Sequence, residues 1–377
     1  MKIGIYLINI HHTVLDDLVK IFEPGINEIH LFISNKLLSS LKVLNPKIEQ
    51  QAVLHIYTGD SLNRYNKIVS KFSENLDYMI VSPNSGRQGI ISHLFLKPRC
   101  KYLFIDVIFG DAYLNYFNFF VFGILWNSIY RILYKLQMKR ANGLIYSSRS
   151  VMNELKPFIN KKMLFIPFNF YDNNRLIPKL QKEDYFTFTA TGTMEKRRKD
   201  FSQLFEALKI LINDKEADIS NMRIVMLGGL LNDNNEFGLD MISKSKELNK
   251  LAKFDLIKIF EEKFIGESTY RHYISQTNVI LNPLNMENYK YGKFCSGMSE
   301  CISYSLPGLY PESYEFLEEL NTSSVKYSNA NDLYLIFKKV ISDCEYYKYL
   351  LNEAKKNSKH FSIENIRDEI YQFLKLL

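Results

Sequence analysis

The 377-residue sequence predicts an α/β protein built from two doubly wound domains. Short runs of β-branched and aromatic residues alternate with amphipathic helical patterns, and such alternation predicts parallel strands joined by right-handed crossovers. The alternation lapses once, through the polar stretch 168–184, and then resumes. A chain of this length is long for one hydrophobic core and ordinary for two. Because ligands on such sheets bind beyond the carboxyl ends of the strands, we expect functional residues in the strand-to-helix turns.

The first predicted domain, residues 1–170, opens with a buried strand at Lys2–Asn9 and a helix at Val14–Phe22. A second helical pattern covers Leu62–Phe72. The remaining predicted strands of this domain are Glu28–Ser34, Ala52–Thr58, Tyr78–Ser82, Lys101–Phe109 and Gly143–Ser147.

A linker is predicted at 171–184, followed by a second domain at 185–360. The predicted strands of that domain are Phe186–Thr191, Arg223–Leu227, Lys258–Phe264 and Asn278–Pro283. Its predicted helices are Phe201–Ile212, Met241–Ala252, Ser268–Gln276, Asp332–Ser342 and Tyr346–Lys356. A terminal helix within 361–377 has an apolar stripe, but periodicity does not say which surface that stripe covers.

Composition restricts the class of protein. Hydrophobic residues make up 46% and charged residues 24%, as in globular proteins. The net charge of +7 is spread along the chain without a basic stripe, so nucleic acid is not an expected partner. The four cysteines lack metal-ligand spacing, and the amino terminus lacks the features of a signal peptide, so we expect a reduced, cytoplasmic protein.

The stretch 291–311 combines a turn, a helix start and a carboxylate. Ser296, Gly297 and Met298 begin a short helical pattern, Glu300 follows within it, and Leu306-Pro307-Gly308 ends it. Free amides at a helix start attract phosphate, and a carboxylate one turn further can accept hydrogen bonds from a ribose diol. The order suits a nucleoside diphosphate, although an ordinary strand–helix unit with one glutamate gives the same pattern.

Two other turns of the second domain carry candidate binding residues. After the first strand, Gly192-Thr193 is followed by the basic run Lys196, Arg197, Arg198 and Lys199. Cations beside a helix start would neutralise a diphosphate, whereas the alternative is a solvated surface run. After the third strand, Phe264-Ile265-Gly266 could hold a flat base against an aliphatic edge, or could be an exposed loop.

These residues make the second domain similar to the nucleotide-sugar domain of GT-B glycosyltransferases of the group 1, family 4-like set. The resemblance covers about half of the chain closely, and each motif is weak alone but the set is in the family's order. The matching pieces are the Gly192-Thr193 turn with Lys199, the strand ending Leu227-Gly228-Gly229, Phe264-Ile265-Gly266 before 273–279, the strand ending Asn282-Pro283, and Ser299-Glu300 before Leu306-Pro307-Gly308.

The resemblance implies two Rossmann-like domains facing each other across a cleft, with a nucleotide-diphosphate sugar as donor. By position it assigns Glu300 to the donor ribose and Lys199 to the diphosphate. Two departures stand out. The family's first motif carboxylate falls on Gly292, and its diphosphate arginine falls near Met194, so that Arg197 or Arg198 would have to replace it.

Acceptor chemistry is expected on the loops of the first domain. An inverting transfer needs a base for the acceptor hydroxyl, and the candidates are His11, His12, Asp106 and Asp111. An ordinary polar loop residue is the alternative for each of them. No Asp-x-Asp metal signature is present, so neither a catalytic metal nor another cofactor is predicted.

The segment 113–140 joins an aromatic-rich apolar run to Arg131, Lys135 and Lys139 at helical spacing. This pattern is typical of an interfacial helix on anionic lipid, and a buried core helix is the alternative. The leading hypothesis is therefore a glycosyltransferase acting on a glycan acceptor, expected to be lipid-linked, in capsule, lipopolysaccharide O-antigen or similar polysaccharide synthesis. A nucleotide-sugar epimerase of the same fold and a non-catalytic nucleotide-sugar or glycan binder are the alternatives.

Overall fold

The computed structural model describes residues 1–8, 12–59, 61–82, 92–106, 123–168, 170–171, 185–230, 236–263, 265–289, 294–315 and 317–377. The chain forms two compact units. Unit 1 comprises Met1–Asn169 together with Ile363–Leu377, and unit 2 comprises Phe170–Ser362. Each unit contains one parallel sheet with flanking helices, as predicted.

Unit 1 has a seven-stranded sheet of order β3-β2-β1-β4-β5-β6-β7, with every neighbouring pair parallel. Its strands are β1 (Lys2–Tyr6), β2 (Glu28–Ser34), β3 (Val53–Tyr57), β4 (Tyr78–Val81), β5 (Lys101–Asp106), β6 (Gly143–Tyr146) and β7 (Lys162–Phe165). Its helices are α1 (His12–Ile21), α2 (Asn35–Leu44), α3 (Ile48–Gln51), α4 (Leu62–Phe72), α5 (Gly123–Arg140) and α6 (Arg149–Leu155). Helices cover both faces, which explains why the central strands read as continuous apolar runs.

Among the differences between the predicted and the observed elements of unit 1, one concerns a strand and one a helix. The first strand ends at Tyr6 rather than Asn9, and helix α2 follows β2 where no helix was predicted. The signal for α2 is local, because the Ser34 hydroxyl accepts a hydrogen bond from the Leu37 amide and caps the helix. Leu37 and Leu41 then bury one face.

Unit 2 has a six-stranded parallel sheet of order β10-β9-β8-β11-β12-β13. Its strands are β8 (Phe186–Thr191), β9 (Met222–Leu227), β10 (Ile257–Ile259), β11 (Val279–Leu281), β12 (Gly308–Pro311) and β13 (Ser324–Tyr327). Its helices are α7 (Ser202–Asn213), α8 (Glu236–Ala252), α9 (Glu267–Ser275), α10 (Ser296–Tyr304), α11 (Ala330–Ser342) and α12 (Cys344–Ser358). Strand β13 was not predicted.

The terminal helix α13 (Ile363–Leu376) packs on unit 1. Arg367 donates from Nε to the Ile21 carbonyl at 2.9 Å and from Nη2 to the Lys20 carbonyl at 3.2 Å. These carbonyls end α1 and have no partner within that helix, so the guanidinium satisfies them. Phe373 is buried against Gly143, where an added Cβ would lie only 2.8 Å from its ring. Unit 1 is therefore completed by the last residues of the chain.

We predict that Phe373→Ala lowers the free energy of unfolding by about 3 to 5 kcal/mol, because a buried ring leaves a cavity against Gly143. Phe373 is 6% exposed, whereas Leu376 on the same helix is 62% exposed. Leu376→Ala is the control and should change stability by no more than about 0.5 kcal/mol. Urea unfolding measures both variants, and equal losses would contradict the docking of α13 through Phe373.

Candidate functional site

The sheet of unit 2 has a topological switch point between β8 and β11. From β8 the chain continues outward to β9 and β10, and from β11 it continues in the opposite direction to β12 and β13. The connections therefore diverge at the carboxyl ends of β8 and β11, which is where doubly wound sheets have their ligand-binding crevice. The turn at Gly192, the end of β11 at Asn282 and the start of α10 all lie at this crevice.

Close backbone contacts bring the turn after β8 to the start of α10. Gly192 has a φ of +92°, and a Cβ added there would lie 2.9 Å from Ser296 Oγ. A Cβ on Gly228, at the end of β9, would lie 1.9 Å from the Gly192 carbonyl oxygen. Only glycine fits at positions 192 and 228. The two glycines seen in the sequence therefore have a steric cause.

Helix α10 presents its amino terminus to the crevice. Its N-cap residue is Cys295, whose side chain makes no capping hydrogen bond, so the thiol does not occupy the first amides of the helix. A Cβ on Gly297 would lie 1.8 Å from Asn282 Oδ1, which shows how closely the helix start approaches the end of β11. The predicted site residue Met298 is buried, and its side chain belongs to the core.

Lys199 is the one member of the predicted basic run that is buried, at 4% exposure. Its backbone bridges to Leu284, and the following Asp200 amide donates to the Pro283 carbonyl at 2.9 Å, which fixes the lysine beside the end of β11. Burial lowers the pKa of Lys199 to about 8; the nearby Cys295 opposes this shift and Arg198 adds to it. Burying an ammonium is unfavourable unless an anion accompanies it.

Two buried polar atoms in the crevice have no hydrogen-bond partner among the described residues. They are Thr191 Oγ1 at the end of β8 and Asn282 Nδ2 just after β11, in residues that are 1% and 0% exposed. The pairing of Ile280 with Thr189 places the two residues side by side. Asn282 Oδ1 does accept a long hydrogen bond of 3.7 Å from the Cys295 thiol. Unsatisfied buried donors of this kind are rare and call for an explanation, such as a missing ligand.

Sequence reasoning missed Thr191 and Asn282 as site residues. The sequence does show a polar residue at the end of each of the two strands that border the switch point. Polar residues also end many strands that have no binding function, so this pattern alone does not indicate a site. Their significance depends on the strand order β8-β11, which brings together residues 91 positions apart and is not visible in a single sequence.

Glu300 lies one turn inside α10, where Tyr270 of α9 donates a hydrogen bond of 2.5 Å to its Oε1. Burial, followed by the charge and the hydrogen bond of Glu300, raises the pKa of Tyr270 well above its ordinary value. Ile265 is half-buried in the loop that leads into α9. Phe264 of the same predicted loop lies outside the described residues, as does Gly292.

The two arginines of the basic run are exposed and share one carboxylate. Arg197 Nε lies 3.3 Å from Glu195 Oε1, and Arg198 Nε lies 3.2 Å from Glu195 Oε2. Lys196 is also exposed. Met194, where the resemblance places a diphosphate arginine, is buried in the apolar core of unit 2. The run therefore splits into one buried cation and three at the surface.

The backbone as a whole resembles several solved structures. A glycosyltransferase from Rickettsia africae matches with a TM-score of 0.68 and 14% identity, covering 99% of this chain and 97% of its own. HepE of Anabaena in complex with UDP-glucose matches with a TM-score of 0.69 and 12% identity over 100% of both chains. The chain has the GT-B fold.

Other proteins that match this GT-B chain include a putative UDP-N-acetylglucosamine 2-epimerase from Listeria monocytogenes. That structure has a TM-score of 0.59 and 12% identity, and the match covers 99% of this chain and 95% of the other. No protein-family model and no curated protein matches the sequence. At such identities the comparison establishes the fold alone.

The predicted acceptor-side residues of the GT-B chain are described only in part. His12 is exposed at the first position of α1, and Asp106 is the last residue of β5, beside Tyr146 of β6. His11, Asp111 and the side chain of Asp106 lie outside what the structure describes. The base assignment for these four residues stays a prediction.

We predict that the stability cost of the buried Lys199 charge falls as pH rises. Between pH 8 and 10.5 the unfolded lysine still binds a proton that the folded one has lost, so folding becomes more favourable with increasing pH. Lys199→Met should therefore stabilise the protein more at pH 7 than at pH 9.5, by about 2 kcal/mol for a pKa near 8. Urea unfolding at the two pH values measures the difference.

The matched control is Lys196→Met, which changes an exposed lysine of the same turn. Its effect on the free energy of unfolding should be the same at both pH values. A Lys199→Met effect that is equally independent of pH would show that the Lys199 pKa is ordinary.

Proposed function

We propose that this chain is a glycosyltransferase that takes a sugar from a nucleotide-diphosphate donor, with the diphosphate bound in the crevice between β8 and β11. The observation that carries the proposal is the pair of buried atoms Thr191 Oγ1 and Asn282 Nδ2, which have no partner in the described part of the chain, beside the buried Lys199. All three side chains can donate hydrogen bonds, and an anion with several acceptor oxygens would satisfy them together.

The chemistry of a departing diphosphate fits this arrangement. As the bond from the sugar to the phosphate oxygen breaks, negative charge develops on that oxygen. The Lys199 ammonium and the first amides of α10, at Ser296 and Gly297, would stabilise that charge from fixed positions. A bound phosphate would also raise the pKa of Lys199, so that binding above pH 8 takes up a proton. Gly192 and Thr193, which form the turn after β8, would lie beside the bound diphosphate.

The remaining donor contacts are proposed from the resemblance together with position. Glu300 would accept hydrogen bonds from the ribose, and Ile265 with Phe264 would flank the base. Arg197 and Arg198 are paired with Glu195 and would have to leave it to reach a phosphate. HepE, which shares the fold, was crystallised with UDP-glucose, and a uridine nucleotide is accordingly the first donor to test.

The acceptor is proposed to be a glycan, lipid-linked, in the synthesis of a cell-surface polysaccharide at the cytoplasmic face of a membrane. Two further points stay predictions. One is that a base for the acceptor hydroxyl is among His11, His12, Asp106 and Asp111, and the other is that transfer needs no metal. The test of activity is release of nucleoside diphosphate from nucleotide sugars with and without lipid-linked glycans. Release that requires the acceptor supports transfer.

An epimerase is the second candidate, because the Listeria structure of the same fold is described as a putative UDP-N-acetylglucosamine 2-epimerase. Conversion of a nucleotide sugar into its epimer without any acceptor would favour this candidate. Tight binding of a nucleotide sugar with no turnover would instead favour the non-catalytic binder.

We predict that Asn282→Leu weakens nucleoside diphosphate binding and does not destabilise the free protein. The substitution removes a buried donor for which the described residues offer no partner, so the melting temperature should hold or rise. The lost bond to phosphate should weaken affinity about 10-fold. Thermal shift and calorimetry with UDP, ADP and GDP measure the two effects.

The control is Asn278→Leu, at the opposite end of the same strand. Asn278 Oδ1 accepts from the Thr187 amide at 2.9 Å and its Nδ2 donates to Tyr347 at 3.1 Å, so this variant should lose stability and keep its affinity. Unchanged binding by Asn282→Leu, or failure of the wild type to bind any nucleoside diphosphate, would overturn the proposed site.

We also propose that α5 contacts an anionic membrane surface. In its described part, Leu133, Tyr134 and Met138 are buried on one face of the helix. Burial of that face is what the alternative interpretation, a core helix, requires. On the exposed face, Ile132 at 59% exposure and Leu136 lie among Lys135, Lys139 and Arg140. Apolar side chains among cations suit insertion at a lipid headgroup boundary. No helix in the described part of the chain is long and apolar enough to span a bilayer.

We predict that Lys135→Glu with Lys139→Glu weakens sedimentation with phosphatidylglycerol vesicles by at least about 30-fold, since each lysine near the surface contributes about 1 kcal/mol. The control reverses two exposed lysines of unit 2, Lys209→Glu with Lys250→Glu, and should bind as the wild type does. Equal weakening in both double variants would point to net charge alone and remove the case for α5.

A further inference from the structure

We infer that Tyr270 is a positioning residue that fixes the Glu300 carboxylate for the ribose and joins it to the loop proposed for the base. This inference rests on the proposed function. Its basis is the direct hydrogen bond from the Tyr270 hydroxyl to Glu300 Oε1, which links α9 to α10.

The local structure of α9 places Tyr270 at this position. The helix begins after its N-cap residue Gly266, and the Tyr270 amide donates to the Gly266 carbonyl at 2.9 Å to close the first turn. Tyr270 therefore sits one turn beyond the loop that contains Ile265. Any displacement of that loop moves the first turn of α9, and with it the phenol that contacts Glu300.

The Tyr270 hydroxyl is held in its protonated, donating form, because burial and the Glu300 carboxylate both raise its pKa well above the ordinary value. At 2.5 Å the contact has the length of a charge-assisted O–H···O bond. Such a bond restricts rotation of the carboxylate, so less conformational freedom is lost when a ligand binds. Supporting contacts of this kind hold a binding group in its productive geometry.

The consequence for recognition concerns the sugar of the nucleoside. A ribose presents two neighbouring hydroxyls, and a carboxylate held in one orientation can meet both, whereas a 2′-deoxyribose leaves part of that geometry unused. Without Tyr270 the carboxylate loses this restraint and can turn towards a single hydroxyl. Tyr270 should therefore contribute to selectivity for ribose over 2′-deoxyribose and leave contacts to the diphosphate unaffected.

The test is Tyr270→Phe, which removes one oxygen atom and keeps the ring. The probes are whichever of UDP, ADP and GDP binds the wild type most tightly, its 2′-deoxy form, and inorganic pyrophosphate. Affinity for the ribonucleotide should fall by up to about 10-fold, because the Glu300 carboxylate must then be ordered when the ligand binds. Affinity for the 2′-deoxy form should fall less, by about 2-fold, and affinity for pyrophosphate should not change.

Tyr273→Phe is the matched control, because Tyr273 lies on the same helix with its ring against Phe260. It should behave as the wild type with all three probes. A second check uses Glu300→Ala, in which Tyr270→Phe should cause no further loss, since its effect acts through the carboxylate.

Three outcomes would overturn the inference. Equal losses for the ribonucleotide and the 2′-deoxy form, or no loss for either, would show that Tyr270 does not orient the ribose contact. A full further loss in the Glu300→Ala background would show that Tyr270 acts independently of the carboxylate. If the wild type binds no nucleoside diphosphate, the proposed function fails and this inference fails with it.

Discussion

The site in unit 2 depends on the absence of side chains where three segments meet. The turn after β8 approaches the end of β9 and the first turn of α10, and that turn of α10 approaches Asn282 after β11, so closely that a Cβ on Gly192, Gly228 or Gly297 would overlap a neighbour. Backbone amides and the buried lysine can face the same small volume only because these segments are in contact. A methyl group at Gly228 would force the segments apart, because its nearest neighbour is the backbone carbonyl oxygen of Gly192.

The same crevice is unfavourable in the free protein. Lys199 keeps a charge in an environment that lowers its pKa to about 8, and Thr191 and Asn282 each bury a polar atom with no partner among the described residues. Each feature is unfavourable for folding, and an anion that accepts hydrogen bonds would offset it. Departures from complete satisfaction of polar groups are expected at functional sites, where binding rather than folding selects the residues.

Much of the architecture could be predicted from the sequence because alternating strand and helix periods depend on local residue order. The separation of the basic run could not, because only folding decides that Lys199 turns inward while Arg197 and Arg198 pair with Glu195. For the same reason, the sequence predicted Asn282 only as the end of a strand. Its proposed role in binding phosphate depends on Thr191, which the strand order places beside it.

The terminal helix shows the same limit on a larger scale. An apolar stripe specifies that a helix is buried on one face, and it carries no information about the partner surface. The partner surface is set by groups at the end of α1, where Arg367 donates to the Ile21 and Lys20 carbonyls. The chain re-enters unit 1 after Ser362, where Tyr171 and Phe361 are hydrogen-bonded within unit 2. Unit 1 is therefore discontinuous in sequence, and loss of the last fifteen residues would expose the core of the first unit rather than that of the second.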